Sequence, residues 1–176
     1  MGLILDSSLL IADERSRFDL SSWLRARPPE PVAVSAITLS ELWFGIESEP
    51  DTVRGRRRSR WLEKTFRRLE VVPLDAALAR VHARLWVQLS SAGLMIGPHD
   101  LIVAAAAIHR RWALATFNAA EFRHIRGLEV IARIFHTFGF GAPIFNRLSA
   151  SSRPQSRLQV GAPDCWHFVR IMKYAG

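Results

Sequence analysis

Five short apolar runs constrain this chain most: residues 2–5, 32–35, 71–74, 113–116 and 128–131. Each is too short for a helix and is bounded by residues that turn or cap the backbone, the mark of buried strands. Between them lie stretches of helical period. The first run closes on Asp6-Ser7-Ser8, which caps a helix over residues 9–13. Residues 18–27 form an amphipathic piece stopped by Pro28, Pro29 and Pro31. Thr38-Leu39-Ser40-Glu41 matches a capping box opening a helix through Leu42, Phe44 and Ile46. Trp61, Leu62, Phe66 and Leu69 recur at helical spacing through a basic stretch over 53–69, and a further helix covers 76–89. Residues 100–110 are apolar nearly all round and predict a buried helix, with Pro98 where a first turn tolerates proline. Short strands alternating with helices predict an α/β domain, a parallel sheet with helices on both faces, ending near His136. Residues 137–176 are broken by Gly, Pro and Ser and read as an irregular or partly disordered tail, in which Trp166, Phe168, Ile171 and Tyr174 could form a docking segment.

Composition narrows the partners. Of 176 residues 49% are hydrophobic, enough for a real core, and the net charge of +8 is carried by arginine, with Lys64 and Lys173 the only lysines. Guanidinium matches a phosphate fork, so nucleic acid is the first partner to consider, against the plainer view that the charge aids solubility. Cys165 is alone, which excludes an intrachain disulfide or a thiolate zinc site and suits a reducing cytoplasm. No two histidines stand four apart as a helical metal pair. The longest apolar run, residues 101–108, is too short to cross a bilayer, and the start lacks the basic segment of a signal peptide. The expected location is the cytoplasm, with no membrane partner.

In an open parallel sheet, ligands bind at the carboxyl ends of the strands. Asp6 ends the first strand, although it also reads as an ordinary helix cap. Glu41 also reads as the capping-box glutamate. Asp100 stands in the first turn of a helix that must be buried, where a carboxylate needs a partner or a metal. Thr116, Asn118 and Glu121 leave the fourth strand with a hydroxyl, a carboxamide and a carboxylate, or simply make a strand-to-helix corner. These positions fall on separate strand ends of one sheet. Oxygen donors without His or Cys select hard cations, Mg²⁺ or Mn²⁺, and a water on such a metal attacks phosphorus.

In order, Leu-Asp-Ser-Ser, Thr-Leu-Ser-Glu-Leu, Gly-Pro-His-Asp-Leu-Ile-Val-Ala-Ala-Ala and Thr-Phe-Asn-Ala-Ala-Glu-Phe resemble the motifs of the PIN-domain family, most closely its VapC toxin branch. The resemblance covers residues 1 to about 135. It implies a PIN-like three-layer sandwich with a central parallel sheet flanked by helices. It also implies an Mg²⁺- or Mn²⁺-dependent endoribonuclease acting on RNA, restrained by a small cognate antitoxin and often a homodimer. Asp6, Glu41 and Asp100 match the family's three core acids, and Thr116 matches a hydroxyl that supports them. Asn118 stands where many members carry aspartate, and Glu121 matches a variant with the acid three residues later. The implied metal ligands are therefore Asp6, Glu41, Asp100 and Glu121, with Asn118 and Thr116 beside them.

Arg54, Arg56, Arg57, Arg58 and Arg60 are candidates for RNA phosphates, which would give affinity without reading sequence, unless they form a solvated face or meet the antitoxin. The helical spacing of Trp43, Trp61 and Trp86 favours core or interface packing over base stacking. A catalytically weak PIN-like binding module is the alternative that Asn118 motivates. A nucleotide-binding α/β protein is disfavoured, because no glycine-rich loop follows the first strand.

Overall fold

The computed structural model of the chain describes residues 1–132. The expected domain end at His136 and the tail 137–176, with Trp166, Phe168, Ile171 and Tyr174, lie outside the described residues. In chain order the elements are β1 (Leu3–Leu5), α1 (Ser7–Glu14), α2 (Leu20–Arg25), β2 (Val32–Ser35), α3 (Ala36–Glu47) and α4 (Val53–Phe66). There follow β3 (Glu70–Val72), α5 (Ala76–Ser91), α6 (Pro98–Arg110), β4 (Ala113–Ala115), α7 (Ala119–Phe122) and β5 (Val130–Ile131).

The strands form one parallel sheet in the order β3-β2-β1-β4-β5. Alternate strand residues point to opposite faces, and both faces are covered, which is why the strands read as continuous apolar runs. Ile4, Ala33, Val72 and Leu114 pack with Leu78, Leu85 and Leu89 of α5, the buried side of α6, and Phe122. Leu3, Leu5, Val34, Ala113 and Ala115 pack with Leu9 and Leu10 of α1, Trp23 of α2, Leu42 and Ile46 of α3, and Leu62 of α4. The result is three layers, as expected for α/β. The four alanines Ala104–Ala107, all fully buried, let α6 lie close against β1, β2 and β4.

Some boundaries differ from expectation for local reasons. The helix after β2 begins at Ala36, with Ser35 as its extended N-cap, so Thr38–Glu41 lies inside the helix and no capping box forms. Thr38 faces the core with its hydroxyl unpartnered. β3 stops at Val72 because Pro73 has no N–H for the ladder. Trp43 and Trp86 are exposed rather than core, whereas Trp61 is half-buried and its indole N–H donates to Asp13 Oδ2 at 3.1 Å, tying α4 to α1.

Candidate active site

Chain connections run outward from β1 in one direction to β2 and β3, and in the other to β4 and β5. The reversal opens a crevice at the carboxyl ends of β1 and β4, the place where such sheets hold ligands. Leu5 and Ala115 are register partners, so Asp6 and Thr116 leave the two strands side by side, with Asp6 N–H donating to Ala115 C=O at 3.0 Å. Asp6 occupies the N-cap position of α1 and is 5% exposed, yet its side chain caps no backbone amide. Instead Oδ2 accepts from Ser8 Oγ at 2.6 Å and from Thr116 Oγ1 at 2.7 Å. Each hydroxyl in turn accepts a backbone N–H: Ser8 from Phe117 at 3.1 Å, Thr116 from Asn118 at 2.9 Å. Both hydroxyl protons are thus committed to Asp6, and the 3.4 Å approach of Ser8 to Thr116 adds no further bond. The Phe117 ring meets Phe18 edge-on, centroids 5.4 Å apart, and steadies the corner between β4 and α7.

Asp100 is in the first turn of α6, two residues after Pro98 at its start. Burial pushes its carboxyl up to about 7, helped by a hydrogen bond with Glu121 and by the negative charges of Asp6, Glu121 and Glu41. Three carboxyl groups from three other segments therefore act on Asp100 here. The Asp100 side chain folds back over Gly97: a Cβ there would come within 2.9 Å of Asp100 Oδ2, so any larger residue would push the carboxyl aside. Glu41, on the second turn of α3, holds its Oε1 2.8 Å from His99 Nδ1.

The structure thus gathers Asp6, Glu41, Asp100, Glu121 and Thr116. It does not gather the Asn118 side chain, which is exposed at the start of α7 and makes no capping bond; Glu121 is the residue that reaches Asp100. The cap reading of Asp6 and the capping-box reading of Glu41 do not hold, because both side chains turn into the crevice. Two contributors were missed. Ser8 carried a weak signal, a hydroxyl two residues past a strand-end aspartate. His99 carried none beyond its place next to Asp100.

The arginine run divides. Arg58 is withdrawn from the RNA-binding candidates: Nη1 donates to Gly45 C=O at 2.6 Å and Nε lies 3.7 Å from Glu14 Oε2, leaving the side chain 14% exposed. Gly45 makes room for it, since a Cβ there would meet the guanidinium at 2.7 Å. Arg56 donates to Asp51 C=O at 2.6 Å and Arg60 to Arg56 C=O at 3.3 Å. Arg54 and Arg57 are exposed and make no side-chain hydrogen bond or ion pair among the described residues.

The donor chemistry fits a hard divalent cation. Burial and the neighbouring carboxyls together raise the proton affinity of Asp100, and a cation would offset both the burial and the repulsion. Among the described residues no three His, Cys, Asp or Glu side chains already stand as a ligand cage. Glu41 is engaged by His99, and Asp100 with Glu121.

The sequence model of the PIN domain matches residues 3–128. Ribonuclease VapC1 of Rickettsia felis is 30% identical over 131 residues, 74% of this chain and 96% of the relative. The tRNA(fMet)-specific endonuclease VapC of Salmonella typhimurium is 29% identical over 116 residues, 66% of this chain and 80% of that one. Among solved structures, VapBC2 from Rickettsia felis bound to a DNA fragment from its promoter is similar, with 25% identity and a TM-score of 0.65. That match covers 74% of this chain and 98% of that one.

Proposed function

This chain belongs to the PIN-domain family, and from that premise we propose that it is an endoribonuclease, the toxin of a toxin–antitoxin pair, cutting RNA with Mg²⁺ or Mn²⁺ at the Asp6–Asp100 crevice. The observation that carries the reading is the carboxyl of Asp100, pushed up to about 7 by burial and by Glu121, Asp6 and Glu41, at the carboxyl edge of a parallel sheet. Evolution of a fold does not otherwise favour such crowding, because each carboxylate raises the cost of charging its neighbours.

Asp6, Glu41, Asp100 and Glu121 would hold the cation. When bound it supplies a hydroxide-like nucleophile and neutralises charge developing at phosphorus. The chain's own residues prepare for this. Ser8 and Thr116 both bind Oδ2 of Asp6, so that carboxylate is fixed in orientation while no hydrogen bond among the described residues reaches Oδ1. His99 holds Glu41, and Gly97 leaves space for the Asp100 carboxyl, which is hydrogen-bonded with Glu121.

The proposed partners are RNA as substrate, a small antitoxin, and a second copy of the chain. The solved structure of VapBC-5 from Mycobacterium tuberculosis, 29% identical with a TM-score of 0.60, is of a member of the VapBC family of toxin–antitoxin systems, which supports the antitoxin. Trp86 and Val87 of α5, with Leu94 and Met95 just after it, are exposed apolar residues suited to a homodimer contact. No helix among the described residues is long and apolar enough to cross a membrane, and the proposed location is the cytoplasm.

The test is cleavage of total RNA by purified protein, with Mg²⁺ or Mn²⁺ and with EDTA. Cleavage is expected only with metal, and Asp6→Asn or Asp100→Asn should each lower it by about a hundredfold or more, the usual scale for removing a preorganised electrostatic group. Unchanged cleavage in both variants would move the site elsewhere. RNA binding without cleavage at any metal concentration would favour the alternative, a binding module.

A further inference from the structure

We propose that the chain carries a second RNA-contact site, an open cleft of about 610 Å³ where Arg15 and Arg17 face Arg54 and Arg57, taking phosphates of the strand away from the cut bond. RNA is named because the crevice at Asp6 and Asp100 is read as a ribonuclease site; the place comes from the structure.

The cleft is built by two elements. α1 ends at Glu14, and Ser16 turns the chain through the left-handed region at φ 55°, with Ser16 N–H donating to Asp13 C=O at 2.9 Å and Arg17 N–H to Ala12 C=O at 2.8 Å. The bend sets Arg15 and Arg17 at the negative end of α1, where cations are favoured. Arg54 and Arg57, three apart on α4, share a face. Their neighbours are occupied: Arg56 and Arg60 donate to backbone carbonyls, and Arg58 serves Gly45 and Glu14. Glu14, the acid that lines the cleft, is 10% exposed and lies against Arg58.

Arg15, Arg17, Arg54 and Arg57 are therefore left exposed, with no side-chain hydrogen bond or ion pair among the described residues. Cations facing one cleft repel one another, and a polyanion relieves that repulsion while filling the guanidinium forks. Val53 is the one apolar residue lining it, which disfavours a protein segment anchored by hydrophobic side chains.

α1 separates this cleft from the acids. From position 6 to position 15 at roughly 1.5 Å per residue is about 13 Å. At roughly 3.4 Å per stacked nucleotide this spans about four nucleotides. The grip thus requires RNA that extends well past the cut phosphate.

The experiment measures binding of single-stranded RNA of about 12 and about 3 nucleotides to the full chain in EDTA, across about 50 to 200 mM salt. In the variant R15Q/R17Q/R54Q/R57Q, all surface positions, the slope of log K against log salt should shrink by roughly 0.7 per lost phosphate contact. The ratio of long-RNA to short-RNA affinity should fall at least about tenfold. The pair R54Q/R57Q should lower the slope more than R56Q/R60Q. An unchanged slope, equal losses for both RNA lengths, or a loss seen only with an acidic peptide would overturn the proposal. The assay contains no divalent metal, so the two readings fail separately. A chain that binds RNA this way and never cuts it would refute the ribonuclease alone. One that cuts RNA with the slope unchanged in the quadruple variant would refute the cleft alone.

Discussion

Asp100 concentrates the charge conflict of the crevice. Its carboxyl is pushed up to about 7 from the ordinary 3.8, through burial first and neighbouring acids second. A raised carboxyl means the folded state binds more protons than the unfolded state between those values, so stability should fall as pH rises from about 4 to about 7 and then level off. Asp100→Asn should remove that slope. At pH 8, in the absence of metal, it should be the more stable protein by about 1–2 kcal/mol, a figure reduced from the full linkage value because the group is only partly buried. Urea unfolding at pH 5 and pH 8 checks both statements; a steeper slope in the variant would contradict them. Thr116→Val should act in the opposite direction, taking away one of the two hydroxyl donors to Asp6 and leaving the Asn118 amide without its acceptor, at a cost of about 1–3 kcal/mol. Thr116→Ser should recover most of the loss in the same measurement. Asp6, Glu41 and Asp100 were legible as candidates because acids at a strand end and in the early turns of helices, in that order, are a sequence pattern. Ser8 and His99 were not: Ser8 lies two residues from Asp6, but the Phe117 amide it receives, like the Glu41 that His99 meets, is distant in the chain, and a lone hydroxyl or imidazole has no periodicity.

At the scale of elements, the site depends on how helices begin and end. α7 has four residues, too few to hold itself together, so its place is set by Phe122, fully buried against the core. Phe122→Ala should cost about 3–5 kcal/mol, and it should weaken cleavage beyond what the lost stability explains, because Glu121 travels with it. Activity measured well below the melting temperature tests the second part. α6 ends on Arg111 at φ 54°, a left-handed residue that closes the helix before β4. Arg111→Gly should relieve that conformation and raise stability by about 1 kcal/mol, a few degrees in Tm. A drop in Tm would mean the arginine side chain matters more than the backbone. Element types were readable from period and punctuation. The start of α3 was not, because a good capping-box string inside a helix looks the same as one at its start, and only the pairing of β2 with its neighbours, ending at Ser35 opposite Val72 of β3, decides where the strand stops.

For the molecule as a whole, the proposed dimer contact on α5 makes a simple expectation. Val87→Asp should turn a dimer into a monomer by sedimentation while leaving the fold intact, since Val87 is 66% exposed. A dimer that survives both Val87→Asp and Trp86→Asp would place the contact elsewhere. What the sequence determined by itself was the alternation of strand and helix, hence a parallel sheet covered on both faces, together with the residue types able to bind a hard cation. Those follow from local period and from the chemistry of each side chain. Strand order, and so the crevice beside β1 and β4, was decided only in three dimensions. Tertiary structure likewise separated arginines that look alike in a row: Arg58 turned inward to Gly45 and Glu14, while Arg54 and Arg57 came to face Arg15 and Arg17. The physical reason is the same in each case. Whether a charge is neutralised depends on neighbours through space, and those belong to helices and strands far apart in the chain.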